Sequence, residues 1–478
     1  MTRSWLAGPS FLGTALCFFL IAWAIGCAPS TTATPRLVLI SPHRDELREE
    51  VALAFQEWIS ARADSLAGQG VDVAQGVDII WQDIGGGTSQ ITKYLESNPG
   101  GTGIDVLFGG GTEPHLRLAG KGLLEKIELP EALLARIPLK LNGIPLRDPE
   151  GRWYGPMLSS FGILYNRRVL YRIGQIPPGL KASDGDSEDD SAGWAYLGRP
   201  GLRGWVGAGD PRVTGSLHMV YELILQSHGW DEGFRLLLRL GANTHRFIRD
   251  SGSLTREILD GEAAAAGNLD ANALGAVSRD PEGMGYYLPA GETIINPDAI
   301  SVLKGAPNPV IAKAFVEFTL SDEGQKLFHL QPGEPGGPKR YPVGRMSVVP
   351  ELYKTYPPEQ RAVGNSNPFI SVNTFTYDSR LGNSRWDALN DLFGAVIMDA
   401  HRDLSAAWAA VEESPLSAEE KQTLEVELFQ PPSSEDELSV HARNIVEGGA
   451  RVRNATVNHW GEQARERYRA VLRRARGR

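Results

Sequence analysis

Three groups of small polar residues punctuate the early part of the chain: Ser41-Pro42-His43, Gly85-Gly86-Gly87-Thr88-Ser89 and Gly109-Gly110-Gly111-Thr112. Hydroxyls and glycine amides are neutral hydrogen-bond donors, and an anion or a sugar gives up its water only where many such donors replace it. Each group taken singly is also ordinary turn and helix-start chemistry. Their shared position is more informative, because each follows a short apolar run. The chemistry on offer is capture of a small ligand rather than bond-making. No Gly-x-Ser-x-Gly elbow, P-loop, His-Glu-x-x-His or cysteine-based metal cluster occurs, and neither glycine loop has the spacing of a dinucleotide fingerprint. An enzyme stays open only as an alternative, since α/β sheets host many catalysts.

The runs that must position these groups read as strands at 36–40, 77–81 and 104–108. Between them lie helices at 45–58, where Leu47, Val51, Phe55 and Trp58 recur every three or four residues, at about 90–97 and at 116–124. Strand and helix alternating over so short a distance predict a largely parallel α/β sheet with crossover helices. In such a sheet ligands bind at the carboxyl ends of the strands, where helix amino ends present free N–H groups.

The pattern repeats in the middle of the chain. Trp153-Tyr154-Gly155 and Ser159-Ser160 precede a strand at 161–166 that crosses into a second lobe. An acidic stretch at 183–193 holds Asp184, Asp186, Glu188, Asp189 and Asp190; it reads as a solvated loop, with calcium binding the minor alternative because the spacing of a calcium loop is missing. Further helices are expected up to His228, over 231–242 and ending near Gly261-Glu262, followed by Asn268-Leu269-Asp270-Ala271-Asn272. A strand is expected at Tyr286-Tyr287-Leu288 and another at 296–303, then helices at 308–320 and 321–330.

At 478 residues the chain is long enough for two or three packing units. Its 48 basic and 58 acidic side chains give a net charge of −10, so a nucleic-acid partner has no global electrostatic support. Arg3, the apolar stretch 11–25 and the small residues that end it are the parts of an export signal. The run Ala24-Ile25-Gly26-Cys27 resembles a bacterial lipobox, which implies a signal peptide at 1–27, lipidation of Cys27 and a membrane-anchored lipoprotein on the periplasmic or extracellular face. An uncleaved membrane anchor is the alternative. Residues 28–35 read as a flexible tether. Cys17 falls in the discarded segment, so the mature chain would have no disulfide.

In sequence order, further motifs resemble one family. These are Asp210-Pro211 with Thr214-Gly215-Ser216, Gly261-Glu262-Ala263 with Asp270 downstream, and Pro289-Ala290-Gly291-Glu292-Thr293. Ala312-Lys313-Ala314-Phe315 and Ser321-Asp322-Glu323-Gly324-Gln325 continue the series, and 161–166 resembles the family's crossover strand. Over about residues 36–345 the chain is similar to bacterial extracellular solute-binding proteins of ABC importers, the type 2 periplasmic binding proteins, in the branch that includes ferric-iron binders. The resemblance implies an α/β, two-lobed fold, with lobe one at 36–155 and 290–345 and lobe two at 156–289. It also implies an importer permease as partner and a small polar or anionic solute, no cofactor and no catalysis. Candidate ligand contacts carried over are Ser41, His43, Gly87, Thr88, Ser89, Gly110, Gly111, Thr112, Ser159, Ser160, Thr214, Gly215, Ser216, Asp270 and Asn272. Ferric iron is the alternative cargo, and Tyr286, Tyr287 and His43 would then be its ligands. The family's tyrosine pair, however, follows the Gly-Glu segment closely, where this chain has 268–272, so Tyr286 and Tyr287 are expected to pack instead.

Beyond about 346 the character changes to a mostly helical extension, with periodic runs at 386–411, 418–428 and 435–471 and a basic end at Arg465, Arg467, Arg469, Arg473, Arg474, Arg476 and Arg478. That end could touch anionic lipid or be simply solvated. Trp386, Leu389, Leu392 and Phe393 are expected to pack on the lobes; exposed, they would mark a sensor or scaffold component.

Overall fold

The computed structural model describes residues 34–178, 193–363, 367–370 and 375–477. The expected signal peptide, lipidated Cys27, Arg478 and the acidic run Asp184 to Asp190 lie outside them.

The amino-terminal part alternates β1 (Arg36–Ile40), α1 (Asp45–Ser60), β2 (Asp78–Gln82), α2 (Thr88–Ser97), β3 (Val106–Phe108) and α3 (Glu113–Gly120). The third strand starts later than expected because the Asp105 carboxylate takes over the pairing, accepting from the amides of Val38 at 2.8 Å and Asn308 at 2.7 Å. The long strand β4 (Tyr154–Asn166) is buried over all of its 13 residues. After it come β5 (Val206–Gly209), α4 (Gly215–His228), α5 (Trp230–Asn243), β6 (Thr244–Ile248), α6 (Ser251–Asp260), β7 (Ala265–Leu269) and α7 (Asp270–Arg279). Then β8 (Met284–Tyr287), β9 (Ile295–Val302), α8 (Pro309–Leu320), α9 (Asp322–His329) and β10 (Met346–Ser347) complete the strands used below. Local chemistry sets several of these ends: Ser321 caps α9 by accepting from the Gly324 amide, and Gly261 closes α6 at φ 74°, a left-handed conformation that glycine adopts without strain.

Among the described residues the main sheet runs β2-β1-β3-β9-β4-β7-β5-β6, with β8 and β10 also paired to β4. The sheet is two parallel sets joined by antiparallel strands. β1 pairs in parallel with β2 and β3, and β5 in parallel with β6 and β7. β4 joins the sets: its first half pairs with β9 as far as Ser160, and from Phe161 onward it pairs with β7. Ser159 and Ser160 therefore lie inside the crossover strand rather than before it.

Among the described residues each lobe has its own core, and the fold is two-lobed. The first holds Leu37, Phe55, Phe108, Phe315 and Phe318, with a smaller cluster of Ile40, Ile91 and Leu107 beside it; the second holds Val206, Tyr221, Phe234 and Ala265. The carboxy-terminal helices α10 (Ser379–Phe393), α11 (His401–Glu413), α12 (Ala418–Leu428) and α13 (Glu435–Ala475) belong to the second core. Trp386, Leu389, Leu392 and Phe393 are buried there, each worth about 1.5–3 kcal/mol of burial, so the extension is integral to that lobe. The expected run 386–411 is broken by a π-helical turn at Gly394–Met398, where the Tyr468 hydroxyl donates to the Val396 carbonyl at 2.9 Å. In α13 the break is at Gly449, φ 64°. Among the described residues no helix is long and apolar enough to cross a membrane.

Candidate functional site

A cavity of about 680 Å³ opens where the carboxyl ends of β1, β2 and β3 face those of β5, β6 and β7. Two helix amino ends meet in it. A Cβ on Gly87, at the start of α2, would lie 3.0 Å from the Val213 carbonyl, and one on Gly215, at the start of α4, would lie 3.0 Å from Cβ of Thr88. Only residues without side chains let the two lobes come this close.

Of the residues expected from the sequence, His43, Gly87, Thr88, Gly110, Gly111, Ser159, Thr214, Gly215, Ser216 and Asn272 line this cavity. The others are committed behind it. Ser41 Oγ bonds His43 Nδ1 at 2.9 Å, and Ser89 Oγ donates to the Pro211 carbonyl at 3.3 Å. The amide and hydroxyl of Ser160 donate to Asp270 Oδ2 at 2.8 and 3.1 Å. Thr112 is buried just before α3.

The glycine loop after β3 is not an empty nest. The amides of Gly110 and Gly111 both donate to Oδ1 of Asp298, at 2.7 and 2.9 Å, while Oδ2 of the same carboxylate meets His43 Nε2 at 2.9 Å and Arg345 Nη2 at 3.3 Å. Gly109 makes this possible: at φ 94° it turns the chain, and a Cβ there would sit 2.2 Å from the His43 ring. Burial alone would raise the Asp298 carboxyl, but His43, Arg345 and the Gly111 amide outweigh it and hold it well below the ordinary range. Burial keeps His43 below its ordinary value despite the pull of Asp298. Below the loop, His115 Nδ1 bonds Ser301 at 2.8 Å and Nε2 reaches the Gly109 carbonyl at 3.2 Å, with burial pushing its value down to about 4.

Sequence reasoning missed the charged half of the cavity. Arg48 and Arg345 line its interior, and Arg249, Arg256 and Arg279, all exposed, line it from α6, α7 and the loop after β6. Arg345 is only 4% exposed; its Nη1 donates to Ser159 Oγ at 2.7 Å, and it lies 4.0 Å from Asp270. Burial raises Asp270 to about 6, with Arg345 and Ser160 offsetting part of the effect. Arg249, Arg256 and Arg279 form no ion pair or hydrogen bond with any described residue. Two signals were available: the polar Asn296-Pro297-Asp298 inside an otherwise apolar strand, and the recurrence of arginine after the strand ends of the second lobe.

Tyr286 and Tyr287 do not line the cavity. The Tyr286 hydroxyl donates to the carbonyls of Ser160 at 3.3 Å and Asn268 at 3.4 Å, and burial beside Asp270 pushes the phenol well above its ordinary value. Among the described residues no group of three or more His, Cys, Asp or Glu side chains is placed to hold a metal ion.

Residues 104–362 match the family model described as bacterial extracellular solute-binding protein. Phosphoglycerate transport regulatory protein PgtC of Salmonella typhimurium is 27% identical over 217 residues, 45% of this chain and 49% of that one, so the chain spans about half the length of this relative. An uncharacterized protein of Haemophilus influenzae is 26% identical over 320 residues, 64% of this chain and 79% of that one. Among solved structures, the periplasmic binding protein AfuA from Actinobacillus pleuropneumoniae with fructose-6-phosphate bound has a TM-score of 0.55 at 19% identity, covering 78% of this chain and 98% of its own. Iron-bound HitA from Pseudomonas aeruginosa has a TM-score of 0.54 at 19% identity, covering 75% and 99%. These likenesses show that the fold is that of the type 2 periplasmic binding proteins.

Proposed function

The chain belongs to the bacterial extracellular solute-binding proteins, and from that premise we propose that it captures a small phosphorylated anion between its lobes and delivers it to the permease of an ABC importer. The observation that carries this reading is the set of arginines in the cavity. Arg249, Arg256 and Arg279 line it without a carboxylate partner among the described residues, and Arg48 and Arg345 lie deeper. Unpaired cations around a cleft attract anions and replace part of their hydration once bound. The names of the relatives agree, one with phosphoglycerate and one with fructose-6-phosphate.

In this reading residues 36–155 and 290–345 form lobe one, 156–289 lobe two and 346–478 an extension, of which 346–363 packs in the core of lobe one and the helices from 379 onward in that of lobe two. β4 and β9 act as the hinge, and bound anion favours the closed form. The candidate contacts His43, Gly87, Thr88, Ser159, Thr214, Gly215, Ser216 and Asn272 surround the ligand, while Ser41, Ser89, Thr112, Ser160 and Asp270 hold the walls. Gly110 and Gly111 act indirectly, by seating Asp298. Lipidated Cys27 keeps the protein at the membrane. The chain acts as a binder and not as an enzyme.

Ferric iron is the weaker cargo. A phenolate ligand must lose its proton, and Tyr286 instead donates to two carbonyls. A thermal-shift panel of inorganic phosphate, phosphate esters, sugars and ferric citrate tests the reading. Stabilisation by phosphate esters alone is expected, and stabilisation by ferric citrate alone overturns it. For the anchor, fatty-acid labelling is expected to be lost in Cys27→Ala, and label retained in that variant refutes it.

A further inference from the structure

Helix α10 of the carboxy-terminal extension touches both lobes, and no residue of it lines the cavity. It is rooted in lobe two, where Trp386 and Leu389 are buried and Arg385 meets the fully buried Glu222 of α4 at 2.7 Å. Two residues further on, Asp387 reaches lobe one, lying 3.1 Å from Arg117 on α3 and 3.6 Å from Lys93 on α2. Lobe one holds the nearer of these cations in place: Glu96 on α2 meets Arg117 at 2.9 Å, and the two helices pack through Ile91, Leu95 and Leu118. Burial would raise the Asp387 carboxyl, but Arg117 and Lys93 lead the groups that hold it below its ordinary value.

A second contact runs beside the first. The segment entering α10 carries Tyr377, which packs in the core of lobe two, and its hydroxyl hydrogen-bonds the carboxyl of Glu113 at the start of α3 in lobe one. Gly382 makes room for it, since a Cβ on that residue would overlap the Tyr377 hydroxyl, and glycine is otherwise disfavoured inside a helix. Opening the lobes about β4 and β9 moves α10 away from α2 and α3, so both contacts must break. A contact made only in the closed form raises the closed population before any ligand arrives. We infer that α10 is a clasp that holds the lobes together in the empty protein, with Asp387 its salt-sensitive catch and Tyr377 its buried one. This rests on the hinge reading above and not on the identity of the cargo.

The test is a distance measurement between spin labels on the ligand-free full chain in detergent. The labels go on Glu49→Cys of α1 and Ser278→Cys of α7, two exposed positions on opposite lobes, with Cys17 and Cys27, the two native cysteines, replaced by Ser. At low salt the parent is expected to show mainly the short, closed distance. Asp387→Asn is expected to raise the ratio of open to closed molecules by about fivefold or more, the combined worth of two partly exposed ion pairs. Salt at 1 M is expected to open the parent in the same way and to change the variant little. Adding Tyr377→Phe is expected to open the chain further, with melting temperatures reporting that each variant folds. If a variant fails to fold, the salt comparison on the parent decides alone. A parent as open as Asp387→Asn at low salt overturns the clasp and leaves the hinge standing. A variant that opens while 1 M salt leaves the parent closed overturns the ionic catch. A single short distance in every sample, the double variant at 1 M salt included, overturns the hinge together with the clasp.

Discussion

Nε2 of His43 lies 2.9 Å from Oδ2 of Asp298, a residue 255 positions further along the chain. This contact, made inside lobe one, fills the glycine loop after β3 with the protein's own carboxylate. It turns a loop that looks like an anion site into a brace for Arg345.

Asp298→Asn is expected to destabilise the fold by about 3–5 kcal/mol, because it removes the nearer of the two carboxylates that face the buried Arg345 guanidinium. Urea unfolding measures this. The folded carboxyl titrates below its ordinary value of 3.8, so its contribution is in place above that pH and is lost as the pH falls beneath it. The stability gap between parent and variant is therefore expected to narrow only in strong acid, and a gap that closes near pH 6 contradicts the assignment.

Glu113 at the start of α3 behaves in the opposite sense. Burial raises its carboxyl to about 7, the amides of Glu113 and Thr112 and the Tyr377 hydroxyl only partly opposing this. The folded chain then holds a proton that the unfolded chain releases near 4.5, so stability from this group is present below 4.5 and lost as the pH rises to about 7. Glu113→Gln is expected to gain on the parent by on the order of 3 kcal/mol across that window. Parallel unfolding curves at pH 4 and pH 8 would show the group is not buried in its acid form.

The alternation of strands and helices was legible because each lobe buries a sheet whose crossover helices keep a regular apolar face. The hydroxyl and glycine groups were legible as strand-end residues, and ten of the fifteen line the cavity. The five that do not are buried inside walls, and sequence order cannot distinguish a loop facing the cleft from one packed behind it. Asp298 and Asn296 were hidden because they sit two apart on one face of a strand whose other residues read as core. β6 went unread: His245 and Arg246 are exposed on an edge strand, so the apolar alternation that marks a strand is missing, and with it the clue that Arg249 follows a strand end. The helical breaks at 394–398 and 449 depend on tertiary contacts and a single glycine φ, neither of which interrupts the periodic pattern.

The extension is held to lobe two by a fully buried pair, Arg385 and Glu222, 2.7 Å apart. Arg385→Met alone is expected to cost about 3–5 kcal/mol by stranding Glu222, and Glu222→Leu combined with it to recover most of that loss. A double variant no more stable than the single would show that the two do not act as a pair.

The same helix reaches the other lobe. Asp387 lies 3.1 Å from Arg117 on α3 and 3.6 Å from Lys93 on α2, while Arg117 is also held by Glu96 at 2.9 Å. Asp387→Asn is expected to lower stability by about 1 kcal/mol at low salt and by less at 1 M salt, where partly exposed pairs are screened. Equal losses at both salt concentrations would show that the contact is not electrostatic.

The central claim is that the arginines of the cleft hold an anionic cargo. It is tested most directly by titrating 3-phosphoglycerate into the full chain and into the combined Arg249→Gln, Arg256→Gln and Arg279→Gln variant. These side chains are exposed and unpaired among the described residues, so the variant is expected to keep its fold. The expected result is saturable binding by the parent and at least about tenfold weaker binding by the variant. Identical affinities, or an anion that binds neither chain while ferric citrate binds both, would contradict the account.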